Sequence, residues 1–201
     1  MKIRIYSSGY EHLGDYVIPF VKSVKEHEPG AYLTIVDNGS PTPYPLSILS
    51  AATIRTENLA SLSSFNVAIK DDFDWLVITD TDVLCLGKFL AKIESFDPGC
   101  IYGQQMFIQG ALQWFDSWLM CISWKVWDEV GRFDEDFNVT GAFQDLDYCI
   151  RAKRAGFGLQ PAVLPFTHRE ANTTHGSPLF WENREYNRGL IEKKHGVKVL
   201  L

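Results

Sequence analysis

A run of four apolar residues, Trp75-Leu76-Val77-Ile78, is the feature that most constrains the fold of this chain. A short run of this kind is typical of a central parallel strand that is buried on both faces. Around it, the first half of the chain alternates short apolar segments with amphipathic ones, which is the pattern of βαβ units. The sequence therefore predicts an α/β domain in which helices flank a mostly parallel central sheet.

The same patterns predict the other elements. Strands are expected at 3–6, 32–36, around Ile54, at 75–78, 119–122 and 158–166. Helices are expected at 15–27, 58–70, 88–94 and 144–155, with a closing helix that stops at Gly196. Ser123 is expected to cap a further short helix that ends near Val130, and Gly156 to end the helix at 144–155.

Length and composition narrow the class of protein. The 201 residues suffice for one domain, and the net charge of −6 argues against a protein that coats nucleic acid. No run approaches the roughly 20 apolar residues of a membrane-spanning helix, so we expect a cytoplasmic protein, peripheral to a membrane at most. The four cysteines are widely spaced, which favours free thiols over a disulfide or a metal site: Cys85, Cys100, Cys121 and Cys149.

Two carboxylates directly follow the central strand, in Thr79-Asp80-Thr81-Asp82. Open α/β sheets place their ligands at the carboxyl ends of strands, and carboxylate oxygens suit Mg²⁺ or Mn²⁺ bound to substrate phosphates. An Asp-x-Asp triplet alone is a weak signal, because aspartates are common in turns. Its position after a buried strand favours a cation site, since two carboxylates there need a compensating charge.

A second acidic segment, Gln144-Asp145-Leu146-Asp147, opens the helix predicted at 144–155. Acidic residues in a first turn are favoured by the helix dipole, which is one explanation for them. The alternative is that Asp145 is a general base that removes the proton from an attacking hydroxyl.

Several segments in a fixed order resemble glycosyltransferase family 2, over about residues 37–196. They are VDNGS at 36–40, ENL at 57–59, FNVAI at 65–69, TDTD at 79–82, VGRFDEDF at 130–137 and QDLDYCIR at 144–151. The resemblance implies a single GT-A domain over 1–201, with a nucleotide-binding half at about 1–85 and an acceptor-binding half at about 86–201. It also implies transfer of a sugar from a nucleoside-diphosphate sugar to an acceptor hydroxyl, with inversion at the anomeric carbon. Among such donors, a UDP-sugar is the first candidate.

The resemblance also implies roles for individual residues. Asp37 and Asp80 would contact the nucleotide, Asp82 would ligate Mn²⁺ or Mg²⁺, and Asp145 would be the catalytic base. Asn66, within FNVAI, would contact the nucleotide-sugar. His168 resembles a late histidine that contacts the metal or the diphosphate, with His175 as its competitor; His12, His27 and His195 are expected to be solvated.

Other features leave alternatives open. Trp114, Phe115 and Trp118 are aromatic side chains that could stack on a nucleotide-sugar or an acceptor or pack in the core, whereas Trp124 and Trp127 are expected in the core. Gln144 replaces the first carboxylate of the family's Glu-Asp pair, which keeps open a non-catalytic sugar- or nucleotide-binding protein. A nucleotidyltransferase ranks lower, because the loop after the first strand has one glycine and no lysine. The acceptor (a glycan, lipid-linked sugar, protein or modified base) and the oligomeric state stay open.

Overall fold

The computed structural model describes residues 1–59, 62–70, 72–137, 142–169 and 178–200, with side chains in the last range from 181 onward. Within this part, the strands are β1 (Ile3–Gly9), β2 (Tyr32–Asp37), β3 (Ser47–Ile48), β4 (Ala51–Arg55), β5 (Trp75–Asp80), β6 (Val83–Cys85), β7 (Cys100–Gly103), β8 (Met106–Gln109), β9 (Leu112–Phe115), β10 (Leu119–Ser123), β11 (Gly158–Pro161) and β12 (Phe166–His168). The helices are α1 (Ile18–His27), α2 (Ser63–Ala68), α3 (Leu90–Ile93), α4 (Trp124–Val130), α5 (Gln144–Arg154) and α6 (Pro178–His195), and a π-helical segment at Leu13–Val17 leads into α1.

Eight strands form the central sheet, in the order β11-β7-β10-β5-β1-β2-β4-β3. β5, β1, β2 and β4 pair in parallel, and β10 pairs antiparallel with both β5 and β7. Because β11 is parallel to β7 and β3 is antiparallel to β4, only β10 and β3 run against the other six strands. The predicted mostly parallel sheet flanked by helices is confirmed.

The two faces of the sheet bury separate apolar layers, and β5 contributes to both. Trp75 and Val77 pack into the layer that includes α1, whereas Leu76 and Ile78 pack into the layer that includes α2, α4 and α5. Burial of each such side chain stabilises the fold by about 1.5–3 kcal/mol. This two-sided burial explains why the run at 75–78 contains no polar residue.

Strand register brings the ends of the central strands together. Ser8 of β1 pairs with Asp80 of β5, and the next residue, Gly9, pairs with Asp37 of β2. β10 runs in the opposite direction, so its first residue, Leu119, lies at the same edge and pairs with Thr79. This edge, the carboxyl edge of the sheet, therefore collects residues from three parallel strands and from the turn that precedes β10.

Several sequence expectations need correction. The helix predicted at 58–70 spans only Ser63–Ala68, because the Asn38 side chain bonds both the main-chain N–H and the carbonyl of Leu59 and holds it in a loop. The strand predicted at 158–166 is two strands, β11 and β12. Trp127 is buried as expected, but Trp124 is 46% exposed and only its edge packs against Phe73.

Two smaller pairs of strands lie outside the central sheet: the β8–β9 hairpin and the β6–β12 pair. The hairpin and β7 were not predicted, since they carry no strong period-two pattern. Ser123 caps α4 as expected, its hydroxyl accepting from the Val126 N–H at 3.2 Å. The four cysteines are free thiols, and no helix in the described ranges is long and apolar enough to cross a membrane.

Candidate active site at the carboxyl edge of the sheet

Asp80, Asp82 and His168 form a group of potential metal ligands at this edge. Each offers one ligand atom, and these atoms all lie within 4.8 Å of one another. Asp80 ends β5, whereas His168 ends β12, far away in sequence. The antiparallel β6–β12 pair brings them together, because its register places His168 opposite Val83, the neighbour of Asp82.

Asp82 and His168 form an ion pair, with 3.3 Å between Oδ1 of Asp82 and Nε2 of His168. The contact lacks the alignment of a hydrogen bond, so this buried Oδ1 has no hydrogen-bond partner among the described residues. The Asp82 carboxylate raises the pKa of His168, and Asp80 and Asp116 add to the effect while burial opposes it. The site is thus strongly negative.

Asp80 shows the cost of this arrangement. Burial first, and then the neighbouring charges of Asp82 and Asp116, raise the pKa of its carboxyl to about 7 against the opposing effect of His168. Carboxylates held this close without a cation between them favour protonation of one member. A bound cation would remove that repulsion.

The ligand set fits a divalent cation. Two ligand atoms that each lie about 2.1 Å from one ion are at most about 4.2 Å apart, so the observed group needs only a small contraction. Two carboxylates and one imidazole suit Mn²⁺, and the imidazole makes Mg²⁺ the poorer match. The orphaned oxygen of Asp82 is an independent sign of fit, because a buried oxygen without a donor is costly.

Asp145 lies in the first turn of α5. Burial first, and then the charge of Asp116, raise the pKa of its carboxyl to about 8 against the opposing effect of the Leu146 and Ser117 amides. Phe143, the residue that precedes α5, has a φ of +70°, in the left-handed region that costs a bulky residue about 1–2 kcal/mol. Its carbonyl accepts from the Asp147 N–H at 2.9 Å, and its ring is buried under Arg184, so packing holds this turn in place.

Asp116 is a member of the site that the sequence reasoning missed. It follows β9, and its charge acts on Asp80, His168 and Asp145 alike. Burial raises the pKa of Asp116 itself, and Asp82 adds to this, against the amides of Trp118 and Ser117 and the charge of His168. The only signal in the sequence was its place beside aromatic residues, which does not reveal a contact with distant carboxylates.

Asp37 has a full set of partners in its own loop. It accepts from the amides of Ser40 and Tyr44 at 2.9 and 3.0 Å and from Nη1 of Arg55 at 2.7 Å. Burial raises the pKa of Asp37, but these hydrogen bonds and the Arg55 charge outweigh it and leave the pKa lowered. The carboxylate shapes the loop after β2, and its contact with a nucleotide base stays a prediction.

Asn66 and Gln144 are also occupied by the protein. The Asn66 side chain donates to the Phe133 carbonyl at 2.7 Å and accepts from the Phe133 N–H at 3.0 Å, so it holds the loop at 131–137. The Gln144 amide accepts from the Leu62 N–H and donates to the Ser63 hydroxyl and to the Asp134 carbonyl. An amide is needed there, because a carboxylate cannot donate to a carbonyl. The predicted contact of Asn66 with a nucleotide-sugar stays a prediction.

The aromatic residues near β9 have different surroundings. Trp114 is half-buried and stacks on Phe107 across the hairpin, whereas Phe115 is fully buried. Trp118 is buried and stacks on His168, with ring centroids 5.1 Å apart and planes 9° apart. The structure thus places Trp118, rather than Trp114, against the candidate metal ligands.

The other histidines separate clearly. His175 lies outside the described residues. His195 was expected to be solvated, which is wrong: its side chain is 5% exposed, and Nε2 lies 2.8 Å from Oδ1 of Asp147. The helix α6 brings it there, 48 residues along the chain from its partner.

Comparison of the sequence with protein-family models and with curated proteins finds no match. Solved structures do match. A mannosyltransferase, PcManGT from Pyrobaculum calidifontis, in complex with GDP-Man and Mn²⁺ matches 80% of this chain at 16% identity with a TM-score of 0.65. GalNAc-T7 with UDP, GalNAc and Mn²⁺ matches 95% at 11% identity and a TM-score of 0.70. S. aureus TarS matches 96% at 13% identity and a TM-score of 0.63.

These similarities confirm the fold predicted from the sequence, the GT-A fold of glycosyltransferases. The matches cover 54%, 48% and 40% of those three chains, so this chain spans between two fifths and just over half of their lengths. At such identities the likeness concerns the fold, and membership of family 2 stays a prediction.

Proposed function

We propose that this chain is a metal-dependent glycosyltransferase that moves a sugar from a nucleoside-diphosphate sugar to an acceptor hydroxyl, with inversion at the anomeric carbon. One observation carries the proposal: Asp80, Asp82 and His168 converge within 4.8 Å at the carboxyl edge of a GT-A fold. Sheets of this class bind their ligands at that edge. The Mn²⁺ and the nucleotides in the similar mannosyltransferase and GalNAc-T7 structures support the same class of ligand here.

Asp80, Asp82 and His168 would hold Mn²⁺, or Mg²⁺ less well, against the diphosphate of the donor. When bound, the cation stabilises the negative charge that develops on the leaving diphosphate. Asp82 would offer the oxygen that lacks a protein donor, and Asp80 would bind the cation as a carboxylate. Asp37 and Asn66 shape the nucleotide side of the site through the loops they hold.

Asp145 would act as the general base. It takes the proton of the acceptor hydroxyl while that oxygen forms a bond to the anomeric carbon and the bond to the diphosphate oxygen breaks. Its pKa near 8 supports the role, because a base works best when its pKa is close to the operating pH. A single displacement of this kind inverts the anomeric carbon.

The division of labour along the chain follows from these roles. Residues up to about 85 would bind the nucleotide, and residues from about 86 would bind the acceptor, with Trp114 on the β8–β9 hairpin beside it. The donor is proposed to be a UDP-sugar. The free thiols fit a cytoplasmic protein, and peripheral membrane association is compatible with that location.

Catalysis is preferred over binding alone for a structural reason. The binding-only alternative relied on Gln144, whose amide is fully occupied by Leu62, Ser63 and Asp134. Its identity therefore serves the packing of α5 and does not indicate lost turnover.

Calorimetric titration of UDP-, GDP-, CMP- and dTDP-sugars with Mn²⁺, Mg²⁺ or EDTA tests the proposal. We expect one donor to bind only with a divalent cation and to be hydrolysed slowly. Asp82→Asn should abolish the metal dependence, whereas Asp128→Asn, on the exposed face of α4, should not. Binding that is unchanged in EDTA, or no binding of any donor, would overturn the proposal.

A further inference from the structure

The turn at residues 116–118, between β9 and β10, contacts two of the three candidate ligands, Asp80 and His168. The Trp118 carbonyl accepts from the Thr79 hydroxyl at 2.7 Å and from the Asp80 N–H at 3.3 Å. The Trp118 indole covers one face of the His168 ring in a nearly parallel stack. One residue therefore contacts the main chain of one candidate ligand and the side chain of another.

The indole is itself held in place. Its Nε1–H donates to Oε1 of Gln105 at 2.9 Å, and the Gln105 carbonyl accepts from the Asp116 N–H at 3.0 Å. The adjacent Gln104 donates from Nε2 to the Phe166 carbonyl, on the strand that carries His168. These bonds fix the indole in its plane relative to β12.

The same turn reaches the general base. The Ser117 amide lies near enough to the Asp145 carboxylate to lower its pKa, and the Leu146 amide donates to Oδ1 of Asp145 at 2.8 Å. Close packing holds the strand before the turn: a Cβ on Gly103 would lie 2.3 Å from Cγ of Phe115, so only glycine lets that ring lie flat against β7. The turn has little freedom to shift against the sheet.

His168 needs such support. Its side chain is 34% exposed and lies between the Asp82 carboxylate and the Trp118 ring. A metal-ligating histidine is usually oriented by an outer partner, and loss of that partner typically weakens metal binding about 10–100-fold. Here an aromatic face takes the place of the usual hydrogen-bond acceptor.

We propose that Trp118 is a positioning residue for the metal site: its ring orients the His168 imidazole and its carbonyl fixes the main chain of Asp80. The inference rests on the proposed metal-dependent function. In this role Trp118 acts through the ligands that it contacts, His168 and Asp80.

The test measures Mn²⁺ affinity directly, by the electron paramagnetic resonance signal of free Mn²⁺, without donor or turnover. Trp118→Leu removes the stack and should weaken Mn²⁺ binding roughly 10-fold or more. Trp118→Phe keeps an aromatic face and should restore most of the affinity. Trp75→Leu is the matched control, since Trp75 is equally buried, belongs to the same apolar layer and lies at the opposite end of β5.

A second measurement, the proton NMR spectrum of His168, gives a result on the unmodified protein even if the variants are unstable. The His168 ring protons should show the upfield shift of a ring stacked under an indole. In a folded Trp118→Leu variant the shift should vanish. Unshielded His168 protons, or wild-type Mn²⁺ affinity in a folded Trp118→Leu, would overturn the inference and leave the proposed function standing. An unmodified protein that binds no Mn²⁺, alone or with UDP or GDP, would overturn both.

Discussion

Two carboxylates in the first turn of α5, Asp145 and Asp147, occupy opposite environments. Asp147 is fully buried and has two partners, Nε of Arg151 at 2.7 Å and Nε2 of His195 at 2.8 Å. Asp145 accepts only main-chain amides, and the described part of the chain offers it no cationic partner. Burial raises the pKa of the Asp145 carboxyl to about 8.

The contrast separates carboxylates that build the fold from those that remain available. Asp147 joins α5 to the end of α6 through its ion pair with His195. Asp37 likewise stabilises the loop after β2, in part by accepting a hydrogen bond from Arg55. At the carboxyl edge of the sheet, one oxygen of Asp82 has no hydrogen-bond partner among the described residues, and Asp145 has main-chain amides but no cationic side chain as partners. Such groups cost stability and persist where they serve a site. The difference predicts that replacing a carboxylate of one kind lowers turnover, whereas replacing one of the other kind lowers stability.

The largest expected effect is on turnover in Asp145→Asn. An amide cannot accept the acceptor's proton, so the rate should fall at least about 10²–10⁴-fold. The melting temperature should stay unchanged or rise, because the substitution removes a buried, unpaired carboxyl. Initial rates with saturating donor and acceptor, beside a thermal melt, measure both. A variant that turns over at the normal rate would remove Asp145 from the mechanism.

Asp147→Ala should show the reverse. The substitution leaves Arg151 and the buried His195 without their carboxylate partner. Breaking a buried pair in this way costs about 3 kcal/mol in the free energy of unfolding. For a chain of this size that lowers the melting temperature by roughly 6–12 °C. Turnover per folded molecule should change little. Asp136→Ala, at an exposed position, is the control; equal melts for the two variants would contradict the distinction.

How far the sequence predicts this contrast depends on the distance along the chain. The buried run at 75–78, the two carboxylates after it and the position of Asp145 in a first turn are local features, and the sequence predicted them. The pairings of Asp82 with His168 and of Asp147 with His195 join residues 86 and 48 positions apart. Neither spacing nor composition reveals such contacts, which is why His195 was expected in solvent.

The family resemblance helped at one of these points and could not at another. It pointed to His168, because a late histidine follows the last strand in that family. Asp116 and Trp118 belong to a turn that matches no motif, and the strands on either side, β7 and the β8–β9 hairpin, lack regular alternation. Their role follows only from the antiparallel direction of β10, which returns this turn to the carboxyl edge.

The substitution Gln144→Glu should have an effect of intermediate size. It restores the carboxylate that the family resemblance predicts. It also removes the N–H that donates to the Asp134 carbonyl, so two oxygens that only accept hydrogen bonds then face each other. The unsatisfied buried groups should cost about 1–3 kcal/mol in the free energy of unfolding, measured by denaturant titration. Turnover should not increase. A clear gain in rate would mean that position 144 takes part in the chemistry and that its amide impairs this chain.

The smallest effect concerns pH. The pKa of Asp145 is about 8 in the folded protein, against about 3.9 in an unfolded chain, so the folded state holds this proton between those values. Its contribution to stability is complete below about pH 4 and is lost as the pH rises towards 8, at no more than about 1.4 kcal/mol per pH unit. Asp80, whose pKa is about 7, adds a slope of the same sign.

Urea titrations of the metal-free protein from pH 5 to 8 should therefore show a falling free energy of unfolding, with a shallower slope in Asp145→Asn. Equal slopes in the unmodified protein and Asp145→Asn would mean that Asp145 is ionised throughout, and the contrast between the two carboxylates would then lie in their partners alone.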